Sequence, residues 1–191
     1  MAAERRVAQV PWKDVFVYFG DERCVAPDDE QSNYKMACDT FLRAVPIPRQ
    51  NVRRMHGEDD PSEAARLYAQ LLRADLGDPP AFDLVLLGMG PDGHTASLFP
   101  GTDPMTDDAE LVRAPYVERM QGYRLTLTPR AINSARHIAI TAQGAQKATV
   151  LAMVLEGPYA PTTYPVQIVA PRGGRLTWLV DRDAAGSLRA T

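Results

Sequence analysis

The chain has 191 residues, of which 45% are hydrophobic, and its formal net charge at pH 7 is -3. This length is typical of one domain, and the charge argues against the basic surface that nucleic-acid binding requires. No apolar run approaches the roughly 20 residues that span a bilayer, and the first residues lack the apolar centre of a secretion signal. We predict one cytoplasmic domain over residues 1–191, with no nucleic-acid or membrane partner.

The cysteines and histidines give no sign of a disulfide or a metal site. Cys24 and Cys38 are the two cysteines, and the three histidines, His56, His94 and His137, lie far apart in the sequence. Neither a C-x-x-C pair nor a compact set of ligands is present. We therefore predict that the protein holds no metal.

The first half of the chain alternates strand and helix patterns. The apolar run VFVYF predicts a strand covered on both faces, and Ser32 can cap a helix of about three turns in NYKMACDTFLRAV. NVRRM predicts a short strand. Asp60, Pro61 and Glu63 then form an N-cap, a first-turn proline and a capping-box acid for a helix that ends at Gly77.

The second half continues the alternation. FDLVLLGMG, YRLTLT, HIAITA, YPVQIVA and LTWLV predict strands, while HTASLF, the segment from Pro129, GAQKATVLAMVLEG and DRDAAGSL predict helices or helical turns. Strands that alternate with helices predict an α/β fold with an open, mostly parallel sheet and helices on both faces.

Two predicted strands end in charged turns. VFVYFG leads into Asp21-Glu22-Arg23, and LVLLGMG leads into Asp92-Gly93-His94. In one parallel sheet both turns emerge at the carboxyl edge, where open α/β sheets bind their ligands. The glycines of the second turn, Gly90 and Gly93 among them, permit unusual backbone angles and close approach of a substrate.

His94 is the candidate general base. A helical turn directly after it would disfavour a positive charge on its ring, and a carboxylate could fix its tautomer and stabilise the imidazolium. Asp21, Glu22 and Asp92 are the candidate carboxylates. The alternative is that His94 is a polar cap satisfied by backbone groups.

The candidate cations also have structural alternatives. Arg23 could hold an anion or polarise a carbonyl, or it could form a local ion pair in a solvated loop. Lys147 follows Gly144 at a predicted helix start and could reach a phosphate, or it could be a surface lysine. His56 and His137 lack a glycine-rich setting and are interpreted as structural residues.

Three long segments, YFGDERCVAPDDEQSNYKMACDTFL, RMHGEDDPSEAARLYAQLL and LLGMGPDGHTASLFPGT, closely resemble the 6-phosphogluconolactonase family. The likeness continues through RLTLTPRAINSARHIAI, GAQKATVLAMVLEG and WLVDRDAA. It implies a Rossmann-like three-layer α/β/α sandwich and hydrolysis of 6-phospho-D-glucono-1,5-lactone in the pentose phosphate pathway, without a metal or organic cofactor. The implied catalytic residues are His94, Asp92 and Arg23, and the implied substrate-binding residues are Asp21, Gly90, Gly93, Arg124 and Lys147.

The resemblance also leaves alternatives. Glucosamine-6-phosphate deaminases of the same superfamily share the D-G-H turn but continue with an acidic segment, whereas this chain continues HTASLFPG. Family members begin with a strand and a GGSTP-type phosphate turn, which do not precede Val15, so we expect a domain that lacks its first strand-loop-helix unit. The alternatives are therefore a sugar-phosphate binding module with reduced or no activity, or a deaminase. We expect a monomer or a homodimer.

Overall fold

A computed structural model of the chain describes residues 7–103 and 109–189. Its strands are β1 (Val17–Tyr18), β2 (Asp21–Arg23), β3 (Val52–Arg53), β4 (Val85–Gly88), β5 (Val112–Arg113), β6 (Tyr116–Val117), β7 (Gly122–Leu127), β8 (His137–Ala142) and β9 (Arg175–Val180). Its α-helices are α1 (Asn33–Thr40), α2 (Pro61–Leu76), α3 (Pro129–Ile132) and α4 (Ala148–Glu156). Within these residues no helix is long and apolar enough to cross a membrane.

The strands form parallel and antiparallel groups. β4, β8 and β9 are parallel neighbours in that order, and β1 pairs with β3 in parallel. β2, β5 and β6 instead pair with β7 in antiparallel fashion. The predicted α/β class is confirmed, and the antiparallel pairing of β2 is a feature that the alternation of strands and helices did not indicate.

The helix boundaries follow their local capping residues. The Ser32 hydroxyl accepts a hydrogen bond from the Lys35 amide at 3.2 Å, so Ser32 caps α1 as predicted. Asp60 caps α2 and accepts from the amides of Ser62 and Glu63 at 3.0 Å, while Gly77 closes the helix. The Glu63 side chain forms an ion pair with Arg66, so its predicted capping-box role is not what the structure shows.

Three predicted elements differ in the structure. VFVYF forms regular strand only at Val17–Tyr18, and Phe16 is 51% exposed, so this segment is not covered on both faces. HTASLF forms a tight turn between Thr95 and Leu98, with Ala96 at a φ of 46°, instead of a helical turn. YPVQIVA contains the 3-10 turn Pro165–Ile168 instead of a strand.

One hydrophobic core joins distant parts of the chain. It extends from Phe19 near the start to Ala184 near the end, and Leu72, Ile140 and Leu151 are completely buried in it. A shared core of this kind is typical of one domain, and the assignment of residues 1–191 to a single domain stays a prediction.

A cleft separates β1 from β4. Its volume is about 870 Å³, and residues of both strands line it. Leu84 and Leu86 at its edge are 51% and 70% exposed. Among the described strands, β1 pairs only with β3 and β4 only with β8, so both strands present a free edge. The expectation that a further strand belongs in the sheet stays a prediction.

Candidate active site

The turn that follows β4 closes on itself and carries His94. The Gly90 amide donates to the His94 carbonyl at 2.9 Å, and the Gly93 amide donates to the Gly90 carbonyl at 3.1 Å. Gly93 has a φ of 80°, which favours glycine. A Cβ built on Gly90 would lie 2.1 Å from two atoms of the His94 ring. The proximity of the histidine ring is therefore one reason for a glycine at position 90, and contact of Gly90 with a substrate stays a prediction.

Asp92 is the carboxylate that contacts the His94 ring. Its Oδ1 lies 2.5 Å from Nδ1 of the ring and also accepts from the His94 amide at 3.2 Å. Its Oδ2 accepts from Nη1 of Arg119. Burial raises the pKa of Asp92, but the hydrogen bonds from His94 and Arg119 outweigh burial and lower the pKa to about 2. An ionised carboxylate only accepts hydrogen bonds, so Nδ1 carries the proton and the lone pair of a neutral ring is on Nε2.

Asp21 joins strand β2 to the loop that follows His94. Its Oδ2 accepts from the Ser97 hydroxyl at 2.8 Å, and its Oδ1 accepts from the Asn33 side-chain amide at 3.2 Å. Burial raises its pKa, and the charges of Arg23 and His94 act in the opposite direction. The two charged segments therefore meet in space as predicted, although they belong to different sheets.

Glu22 has a structural role. Its carboxylate is buried and accepts from the amides of Arg23, Asn33 and Tyr34 at 2.7–2.8 Å and from the Ser32 hydroxyl at 3.1 Å. These amides include the first donors of α1, where a negative charge is stabilised. Of the three candidate carboxylates, Glu22 anchors the helix, Asp21 anchors the loop and Asp92 orients His94.

Two arginines face each other across β2 and β7. Arg23 and Arg124 are register partners in this antiparallel pair. The guanidinium of Arg23 donates to the Gln31 carbonyl, and that of Arg124 donates to the Tyr123 carbonyl at 3.0 Å. Burial and repulsion from Arg23 lower the pKa of Arg124. Like charges directly opposite each other on paired strands are destabilising, so a bound anion would offset this repulsion.

Lys147 lies at the sheet edge that carries the histidine turn. It precedes α4 and follows β8, whose Thr141 is the register partner of Gly88 at the end of β4. The described contacts do not join Lys147 to His94, so its predicted role in phosphate binding stays a prediction.

The other histidines have structural surroundings. Nε2 of His137 lies 2.9 Å from the Thr177 hydroxyl within the parallel sheet. His56 is exposed and lies 3.6–3.8 Å from the carboxylates of Glu58 and Asp59. Their interpretation as structural residues agrees with these contacts.

Arg119 and Phe99 were not candidates in the sequence. Arg119 lies in the 3-10 turn Glu118–Met120, and its guanidinium carbon is 4.3 Å from the centroid of the Phe99 ring. That ring lies 4.8 Å from the His94 ring. No motif marks either residue, and the one local signal is that Phe99 follows the D-G-H turn within the same loop.

We expect Asp92→Asn to lower kcat by about 10²–10⁴-fold with little change in KM, because an amide oxygen replaces the charge that fixes the tautomer and stabilises the imidazolium. Steady-state kinetics of the purified variant measure this effect. Equal kcat values for Asp92→Asn and the unchanged protein would contradict the assignment.

The lowered pKa of Asp92 also makes the stability of the fold depend on pH. The stability contributed by its ionised form is complete above its usual pKa of about 3.9 and is lost as the pH falls through about 2.

The fold and this site define an α/β protein with a carboxylate–histidine pair on the turn after a parallel strand. Residues 1–178 match the family described as glucosamine-6-phosphate isomerases/6-phosphogluconolactonase, and the chain belongs to this family. The chain is 39% identical over 186 residues to the 6-phosphogluconolactonase of Synechocystis sp., with coverage of 94% of this chain and 76% of that protein.

Solved structures agree with this assignment. The crystal structure of devB protein superposes with a TM-score of 0.90 at 35% identity, covering 96% of this chain and 78% of that one. The 6-phosphogluconolactonase from Leishmania guyanensis gives a TM-score of 0.82 at 31% identity, covering 98% of this chain and 80% of that one.

Proposed function

We propose that this chain hydrolyses 6-phospho-D-glucono-1,5-lactone to 6-phospho-D-gluconate, with His94 as the general base. The observation that carries the proposal is the hydrogen bond between Nδ1 of His94 and the ionised Asp92. It supports the tautomer of the neutral ring that carries its proton on Nδ1 and its lone pair on Nε2, which is the form that a water-activating base uses. The names of the family members to which this chain is similar supply the substrate.

In the first step, Nε2 of His94 accepts a proton from water while the water oxygen bonds to C1 of the lactone. The electron pair of the carbonyl moves to its oxygen, and the ring of His94 becomes an imidazolium. Asp92 stabilises this cation through Nδ1, at 2.5 Å. Arg23 is the proposed stabiliser of the negative oxygen, because its charge acts on the same Asp21 carboxyl as that of His94.

In the second step, the carbonyl reforms and the bond between C1 and the ring oxygen breaks. The imidazolium returns its proton from Nε2 to the ring oxygen, which becomes a hydroxyl group. The carboxylic acid of the product then ionises and releases one proton to the solution. His94 ends the cycle neutral and is ready for another water molecule.

The substrate phosphate is the proposed ligand of Arg124 and Lys147. Arg124 has a lowered pKa because burial and the facing Arg23 disfavour its charge. A bound dianion would offset this repulsion, since charge-assisted hydrogen bonds from arginine to phosphate are strong. Lys147 stands at the carboxyl edge of β8, next to the strand that leads to His94.

We expect Arg124→Ala and Lys147→Ala each to raise KM by about 10–100-fold, the effect of losing one charge-assisted hydrogen bond of about 1.5–3 kcal/mol. Initial rates over a range of lactone concentrations measure KM and kcat. Arg136→Ala is the matched control, because Arg136 is exposed and pairs with Asp83 away from the site. A KM unchanged from that of the control would remove the tested residue from the binding site.

The proposed activity is tested by the release of protons from the lactone in a pH-stat, with the spontaneous hydrolysis subtracted. Formation of 6-phosphogluconate well above the spontaneous rate is the expected result. A parallel assay with glucosamine 6-phosphate measures ammonia release. Ammonia release without lactone hydrolysis would favour a deaminase, and lactone binding without turnover would favour a binding module.

The cytoplasmic location and the monomeric or homodimeric state stay predictions. Light scattering during size-exclusion chromatography measures the mass of the particle against the 191-residue chain. A mass larger than that of a dimer would contradict the predicted state.

A further inference from the structure

Arg119 closes a ring of contacts around the catalytic histidine. It donates from Nη1 to Oδ2 of Asp92, while Oδ1 of the same carboxylate lies 2.5 Å from Nδ1 of His94. On its other side the guanidinium lies over Phe99, whose ring is 4.8 Å from that of His94. The contacts therefore run from Arg119 to Asp92, from Asp92 to His94, from His94 to Phe99 and from Phe99 back to Arg119.

The two carboxylate oxygens of Asp92 contact different partners in this closed set of side chains. Oδ1 faces His94 and Oδ2 faces Arg119, so rotation of the carboxylate would break both contacts at once. The planar guanidinium is itself held by the Phe99 ring at 4.3 Å, within the range of a cation–π interaction. Removal of Arg119 leaves Asp92 attached through Oδ1 alone and frees the carboxylate to turn.

The described contacts of Arg119 reach His94 through other side chains. Its partners are Asp92 and Phe99, and its own side chain is 42% exposed. A group in this position does not exchange a proton with the reacting water. It can, however, raise the fraction of time that the His94 imidazole spends in the orientation that the reaction requires.

We infer that Arg119 is a positioning residue for His94, acting through Asp92 and Phe99. This inference rests on the proposed function of His94 as the base. It adds a fourth participant that the Asp92-Gly93-His94 motif does not contain and that lies 25 residues beyond His94 in the sequence.

Kinetics of Arg119→Ala separate a positioning role from a binding role. We expect kcat to fall on the order of 10-fold, a part of the roughly 10²–10⁴-fold supplied by a positioned base, while KM stays within about twofold. Free guanidinium should restore part of the lost kcat, because the Arg119 side chain is 42% exposed and its position can be reached from the solvent. Arg136→Ala is the control for the loss of an exposed, paired arginine. Its kcat should equal that of the unchanged protein, and added guanidinium should not raise it.

Arg119→Lys and Phe99→Leu complete the series. The lysine keeps the charge but loses the planar fork, so its kcat should lie between those of Arg119→Ala and the unchanged protein. The leucine should lower kcat by a smaller factor, since Asp92 keeps both partners. An unchanged kcat for Arg119→Ala, or a raised KM with kcat retained, would overturn the inference.

A second measurement does not depend on turnover. The proton on Nδ1 of His94 is expected to give a slowly exchanging signal in ¹⁵N–¹H spectra, and its exchange with water should accelerate in Arg119→Ala but not in Arg136→Ala. If the unchanged protein fails to hydrolyse the lactone, the proposed function fails while this comparison still tests Arg119. Equal exchange in both variants would show that Arg119 does not position the ring.

Discussion

Replacement of His94 by glutamine is expected to lower kcat for lactone hydrolysis by about 10²–10⁴-fold, the usual contribution of a positioned general base. Glutamine keeps polar atoms near Asp92 but cannot accept a proton from water at neutral pH. KM should change little, because the proposed ligands of the phosphate are Arg124 and Lys147. Initial rates at saturating lactone, corrected for the spontaneous reaction, measure the loss.

His56→Gln is the matched control for this experiment. His56 is exposed and lies near Glu58 and Asp59, away from the turn after β4. The control should retain the kcat and KM of the unchanged protein. A His94→Gln variant that retains nearly full turnover would require another base and would remove the proposed mechanism.

The elements that could be predicted from the sequence are those specified by neighbouring residues. Ser32 and Asp60 each cap a helix with their own side chains, and Gly77 ends the second helix through its backbone. The apolar runs that became β4, β8 and β9 are likewise local patterns. Such signals lie within a few residues of the structure that they determine, so they can be recognised without knowledge of the fold.

The errors occur where distant contacts decide the local conformation. HTASLF has a helical pattern, but Ser97 is held by the Asp21 carboxylate and the Thr126 hydroxyl, which keep the segment in a turn. In YPVQIVA, the side chain of Gln167 accepts from the Ala160 amide and donates to the carbonyls of Val154 in α4 and Pro158 in the following loop. These partners lie 7 to 76 residues away, beyond the reach of a pattern in sequence.

The helix-dipole argument for a neutral His94 fails with the predicted helical turn. What the structure shows instead is that Asp92, which accepts from both His94 and Arg119, determines the orientation and the tautomer of the His94 ring. Asp92 and His94 could be found because they lie close together in one motif. Arg119 could not be found, because a lone arginine in a polar segment has many surface equivalents.

Gly90→Ala is expected to damage the site as severely as the loss of a catalytic group. The added methyl group would lie 2.1 Å from Cε1 and Nδ1 of His94 and 2.8 Å from Oδ1 of Asp92. The ring must therefore move, and displacement of a catalytic group by about 1 Å costs on the order of 10²-fold in rate. Crowding of this kind should also lower the free energy of unfolding by about 1–3 kcal/mol.

A control and a double variant identify the cause of that damage. Gly186→Ala places its methyl group in open space, so it should leave both kcat and the melting temperature nearly unchanged. In Gly90→Ala/His94→Ala the ring that collides with the methyl group is absent, so stability should return toward that of His94→Ala while turnover stays low. Denaturant titrations of the four proteins in this cycle measure the coupling free energy between positions 90 and 94. Additive losses of stability would mean that the alanine collides with something other than His94, and the histidine ring would then not be the reason for a glycine at position 90.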